Sequence, residues 1–257
     1  MKTNSLGFIG GGRITKIFLQ AFANKKAEFQ SIVVFDLNAE LLVALKKQFP
    51  QIIIAQNLQQ VASQSTVFIA LHPPVIMETL DKIADVVCEE TIFISLAPKI
   101  TLEKIASKIK TTNLARMIPN ATSYINEGYN PVTFARGFSE NEKSDVKQML
   151  QLLGNTFEVA ESKLEAYALI SAMLPTYFWF QWNELNKLGI QMGLSEAESK
   201  ASVQQTLIAA INLMFNSELS PENMMDLIPV KPIGDHQAQI LEIYQNKLIT
   251  LFEKIKP

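Results

Sequence analysis

Short β-rich runs alternate with helix-like stretches over the first 160 residues, and this alternation leaves the chain few folds to choose from. The runs are SLGFIG, SIVVFD, QIIIA, STVFIAL, ETIFISL, NLARMIP and PVTFA, within residues 5–135. Between most of them, apolar residues recur at helical spacing over 14–24, 39–48, 75–87 and 101–110. The β runs are apolar almost continuously, as strands buried on both faces are. Such strands joined by helices build a doubly wound parallel sheet, an α/β fold. From residue 161 the pattern changes. Helices are expected over 163–188, 195–216 and 237–253, with no further strand. Ser195 and Glu198 are spaced as a capping box, and Ser220-Pro221 reads as another helix start. The expected domains are 1–160 and an all-helical 161–257.

Composition narrows the partners. The chain has 257 residues, 48% hydrophobic and 19% charged, enough for one large core or two smaller ones. A net charge of −2 offers no basic field for a polyanion, so no nucleic-acid partner is expected. The single cysteine, Cys88, allows no intrachain disulfide, and the first residues hold too short an apolar run for a secretory leader. A cytoplasmic protein is expected. The apolar run YALISAMLPTYFWFQW, residues 167–182, falls short of the roughly 20 residues of a membrane span and reads as a buried helix. Phe178, Trp179, Phe180, Trp182 and Phe215 make the helical part rich in aromatics. Composition leaves open whether they fill a core or meet a second subunit.

The first β run leads into Gly10-Gly11-Gly12-Arg13-Ile14-Thr15, which opens a helix. A glycine turn between strand and helix is the setting of a dinucleotide site. Gly10 allows the tight turn, Gly12 lets backbone approach a pyrophosphate, and the helix start offers unpaired N–H groups. Thr15 stands where the pattern has its third glycine, so helix and strand are expected to sit slightly further apart. Asp36 ends the second β run, where an acidic side chain accepts hydrogen bonds from the ribose of NAD and repels the 2′-phosphate of NADP. Arg13 could meet a phosphate. The cofactor is NAD or NADP, with a lean to NAD from Asp36. Paired carboxylates, Cys/His metal spacing and a Gly-x-Ser-x-Gly elbow do not appear, so no metal is expected.

Several stretches, taken in order, resemble the pyrroline-5-carboxylate reductase family: GFIGGGRIT, IALHPP, FISLAPKI, RMIPNATSYINEG, KLEAYALISAMLPTYFWF and QQTLIAAINLM. The segment from Arg116 to Gly128 is the most specific of these, and the resemblance covers nearly the whole chain. It implies an N-terminal Rossmann domain and a helical domain that interlocks with its partner in a homodimer or higher homo-oligomer. It also implies hydride transfer from NAD(P)H to the imine carbon of a small cyclic amino acid, in proline biosynthesis. Gly10, Gly12, Arg13, Ile14, Asp36, Asn57, Leu71, His72 and Pro73 are then the cofactor candidates. Asn120 and Glu127 match the segment lining the cleft and are substrate candidates.

The chain departs from the family where substrate should bind. The family's Ser-Gly-Ser-Gly-Pro turn is here Ser171-Ala172-Met173-Leu174-Pro175. The family's Ser-Pro-Gly-Gly-Thr-Thr loop, which by the resemblance contacts imine and carboxylate, corresponds to IPVKPIGDHQ, with Asp235 and His236 in place of the two threonines. The lysine of the family's Val-Lys-Pro loop is His72. Asp235 and His236 therefore join the substrate candidates, and His236 is the candidate catalytic acid, since histidine titrates near neutrality. Lys231 is a further candidate for a carboxylate. Two alternatives stay open: reduction of another imine or a carbonyl compound, with His236 as general acid, and nucleotide binding without turnover.

Overall fold

The computed structural model describes residues 5–257. In chain order its elements are β1 (Ser5–Ile9), α1 (Arg13–Asn24), β2 (Ser31–Phe35), α2 (Ala39–Gln48), β3 (Ile53–Ile54), α3 (Leu58–Ala62), β4 (Thr66–Ile69), α4 (Pro73–Ile83), β5 (Ile92–Ser95), α5 (Leu102–Ala106), β6 (Leu114–Met117), β7 (Gly128–Phe134), α6 (Glu140–Leu150), β8 (Gly154–Glu158), α7 (Leu164–Tyr167), α8 (Leu174–Gln191), α9 (Glu196–Asn216), α10 (Pro221–Asp226) and α11 (Gln237–Ile255).

The strands form one sheet in the order β3-β2-β1-β4-β5-β6-β7-β8. All pairs are parallel except β6 with β7. That exception has a chain-length cause. Only residues 118–127 join the two strands, fewer than the dozen or so a parallel crossover needs. Alternate residues of each strand serve opposite faces. On one face Phe8 stacks on Phe68 with centroids 4.8 Å apart, and Phe18 of α1 meets Phe68 edge-on at 5.5 Å. On the other, Ile9, Val67, Ile69 and Phe93 pack with Ile76 and Leu80 of α4. Both faces are covered, as the continuous apolar runs require.

Three elements were not expected. The sequence pattern had no helix over α3 or α6 and no strand over β8. β8 sits at the sheet edge with Asn155 and Glu158 exposed, so its apolar signal is weak. The helix expected over 163–188 is broken. A π-helical turn, Ala168–Ala172, separates α7 from α8. Pro175 lacks the N–H that would bond the Ser171 carbonyl, and its ring crowds that carbonyl. The freed Ser171 oxygen accepts from Asn120 Nδ2 at 3.3 Å instead.

By packing, the chain divides at 172/173. One unit holds residues 5–172 and 252–257, and the other holds 173–251. The division falls after the expected boundary near 160 because Glu161 and Glu165 are tied to Arg116 of β6. In the second unit the capping box of α9 forms as expected, and the Ser195 hydroxyl holds the Glu198 carboxyl below its ordinary value. Trp179, Phe180, Phe215 and Ile228 are exposed there. Among the described residues, no helix is long and apolar enough to cross a membrane.

Candidate active site

β1, β4 and β5 end side by side. The Gly10 N–H donates to the Phe35 carbonyl, Ala70 N–H to Ile9, and Leu96 N–H to Ile69. This is the carboxyl edge, with the strand order reversing beside β1, where open α/β sheets bind their ligands. Gly10 turns the chain there at φ +104°, and a Cβ would meet the Ala70 carbonyl oxygen at 2.5 Å. Gly12 precedes α1 with no side-chain cap. A Cβ on Gly12 would meet nothing within 4 Å, so the ground over the helix start is open. The first N–H groups of α1 have no intrahelical partner. Together these residues could hold a diphosphate. Thr15 is tied to the turn itself. Its buried hydroxyl donates to the Gly10 carbonyl at 2.5 Å and ties helix to turn.

Asp36 is doubly anchored. Its Oδ2 accepts from Gly11 N–H at 2.8 Å and its Oδ1 from Asn38 N–H at 2.9 Å. The carboxylate thus holds the glycine turn and still faces a cavity of about 230 Å³. Gly10, Asp36, Leu37, Leu58, Leu71 and Val75 line that cavity. Lys82 also lines it, but its ammonium is paired with Glu78 at 2.6 Å. The fit to a dinucleotide is good: an open anion cradle, an acceptor at the end of β2 and an apolar slot beside it.

The other cofactor candidates lie round this edge in different ways. Arg13 is exposed at the start of α1, and Ile14 packs partly into the core, leaving only its backbone for a ligand. Asn57 is exposed and its Oδ1 caps α3 by accepting from Gln60 N–H. His72 is exposed before α4, which begins at Pro73.

The substrate candidates fare differently. Asn120 is 5% exposed and its side chain is spent inside the protein. Its Oδ1 accepts from Thr122, and its Nδ2 donates to the carbonyl and hydroxyl of Ser171. Within the protein its amide latches the π-helical turn. Glu127 is exposed, and its backbone closes a turn with Thr122. Asp235 and His236 lie in the second unit, exposed on the one-turn helix Gly234–His236. Met225, Ile228, Val230, Pro232, Ile233 and Leu241 form an apolar groove of about 410 Å³ at the same loop, with Lys231 also in its lining.

Sequence reasoning missed one cluster. Arg116 is fully buried on β6. Its Nη1 donates to Glu161 at 2.8 Å and its Nη2 to Glu165 at 2.6 Å. Glu161 also accepts from Leu102 N–H and Glu165 from Lys99 N–H. The available signal was an arginine inside a buried strand run, matched by two glutamates one helical turn apart.

Residues 5–99 match the family described as NADP oxidoreductase, coenzyme F420-dependent, and residues 161–253 match pyrroline-5-carboxylate reductase dimerisation. The pyrroline-5-carboxylate reductase of Staphylococcus saprophyticus is 23% identical over 252 residues, covering 96% of this chain and 92% of that protein. The Haemophilus influenzae protein of the same name is 24% identical, covering 95% and 90%. Among solved structures, the Plasmodium falciparum pyrroline carboxylate reductase with NADP bound superposes at TM-score 0.74 with 18% identity, over 99% of this chain and 95% of that one. The Streptococcus pyogenes enzyme gives 0.75 with 20% identity, over 98% and 96%.

Proposed function

The chain belongs to the pyrroline-5-carboxylate reductase family, and on that premise we propose that it reduces the C=N bond of 1-pyrroline-5-carboxylate to give L-proline, with NADH as the preferred cofactor. The observation that carries the reading is the open cradle at Gly10–Gly12 on the same chain as the 161–253 dimerisation segment. When bound, the reduced nicotinamide supplies a hydride to the imine carbon. Gly10, Gly12 and the α1 N-terminus hold the diphosphate, with Arg13 and the Ile14 N–H beside it. Asp36 accepts from the adenosine ribose. Leu71, His72, Pro73 and Asn57 border the cofactor.

The preference for NADH rests on the fixed Asp36 carboxylate. It repels a 2′-phosphate, and the cation nearest in the lining, Lys82, is engaged by Glu78. The imine nitrogen takes a proton as the carbon takes the hydride. His236, with Asp235 beside it in sequence, is assigned that proton. Glu127 is kept for the substrate side and Asn120 for holding Ser171. The exposed apolar residues of the second unit are what a dimerisation segment covers with a second copy, and the chain forms a homo-oligomer through it.

The test is oxidation of NADH and NADPH by the purified protein with 1-pyrroline-5-carboxylate, followed by absorbance. Turnover of about 1 s⁻¹ or more, faster with NADH at low concentration, is expected. Tight cofactor binding without turnover would overturn the substrate, and a preference for NADPH would overturn the role given to Asp36. In the same assay His236→Ala is expected to lower kcat by about a hundredfold while the cofactor dissociation constant stays put. An unchanged kcat would remove His236 from the chemistry.

A further inference from the structure

We propose that Lys99 is the cation that binds the carboxylate of the substrate, held at its station by the buried Arg116–Glu165 pair. The proposal deepens the reductase reading and rests on it. Lys99 lies in the turn after β5 at φ +74°, a region that L side chains enter only at a backbone cost. Pro98 precedes it. A position of positive φ favours glycine or asparagine over a long side chain. A long side chain persists in such a conformation only where the surroundings over-determine it, and such places cluster at functional sites.

The surroundings here are explicit. Lys99 N–H donates to Glu165 Oε1 at 3.1 Å, and that same oxygen accepts from Arg116 Nη2 at 2.6 Å. Three residues on, Leu102 N–H donates to Glu161 Oε1 at 2.8 Å, which accepts from Arg116 Nη1. One buried guanidinium thus bolts both ends of the turn through two carboxylates. If Lys99 were only a solvated turn residue, this anchoring would hold a conformation that glycine adopts at lower cost.

The station is the right one for a substrate anion. Asp36 sits at the end of β2, on the adenosine side of the glycine turn. The other half of a dinucleotide runs the opposite way along the carboxyl edge, past β4 towards β5. β5 is two strands from β1, a distance of about 10 Å. Lys99 is exposed there, and among the described residues its ammonium enters no ion pair. A lysine carried on the turn after β5, on the nicotinamide side of the diphosphate, suits a carboxylate next to the imine. The 2′-phosphate position belongs to the β2 side.

The experiment compares the full-length protein with Lys99→Gly and Lys99→Arg. Calorimetry in the presence of NAD⁺ measures binding of L-proline and of L-prolinamide, which lacks the negative charge. Lys99→Gly is expected to weaken proline binding, and to raise the KM for 1-pyrroline-5-carboxylate, by about tenfold. The preference for proline over prolinamide should vanish, and NADH affinity should hold. The melting temperature should not fall, since glycine suits the turn. Lys99→Arg should restore most of the preference. Equal proline affinity in wild type and Lys99→Gly overturns the proposal alone. So does an equal loss for prolinamide, or a loss of NADH affinity instead. A wild-type protein that neither binds proline nor turns over the imine overturns the reductase reading, and Lys99's role falls with it.

Discussion

Arg116→Met is expected to cost about 3–5 kcal/mol of stability. The substitution keeps much of the arginine's volume but leaves Glu165, 2% exposed at its side chain, and the partly buried Glu161 without their counter-ion. A domain of this kind has only about 5–15 kcal/mol in hand. The melting temperature should therefore fall by about 10 °C or more, read by circular dichroism. The loss comes from stranded carboxylates rather than from the pair's own attraction, because the desolvation of buried ions offsets most of that attraction. Arg116→Met combined with Glu165→Leu should accordingly recover much of the loss. A single variant that melts within a degree or two of wild type would show that the triad is not sealed from water as the structure has it. The effect should extend beyond stability, since the same guanidinium fixes the turn at Lys99 and the start of the 161–172 run.

Gly12→Val is the opposite case: folding intact, cofactor lost. Gly12 sits at φ −72°, which any residue adopts, and a Cβ there meets nothing within 4 Å. The melting temperature should stay within a degree or two of wild type. Added side-chain atoms would occupy the space where a diphosphate meets the α1 N–H groups. Losing one or two such charge-assisted hydrogen bonds, each about 1.5–3 kcal/mol, raises the NADH dissociation constant by about a hundredfold. Fluorescence titration would measure it. Wild-type affinity in the variant would mean that the cradle is not where the diphosphate rests. Gly10→Ala would be a poor substitute for this test. Its Cβ runs into the Ala70 carbonyl at a φ of +104°, so folding and binding would fall together.

The glycine turn and its neighbour Asp36 were legible because their signals are local. A tight turn, an open approach and an acidic strand end are each properties of one or two residues in a known β-turn-α setting. The same holds for the capping box at Ser195 and Glu198, which the structure reproduces. The bonds of Asn120 were not legible, for the complementary reason. Its position beside the cleft was visible, but what its amide bonds to depends on Ser171, 51 residues further on. The Ser171 carbonyl that one of these bonds uses is free only because Pro175 breaks the helix. The proline was visible, but the partner it released was not.

The sequence by itself determined the α/β architecture, the order of sheet and helical parts, and the glycine turn between β1 and α1. Strand burial, helical periodicity and turn chemistry are short-range and printed in consecutive residues. Only the tertiary structure decided that residues 161–172 pack with the sheet, and that Lys99 is held in a left-handed turn. Each of these depends on contacts between residues far apart in the chain. Arg116 meets Glu161 and Glu165 only after the sheet is assembled, and burial then makes the charges bond one another and the nearest backbone rather than water.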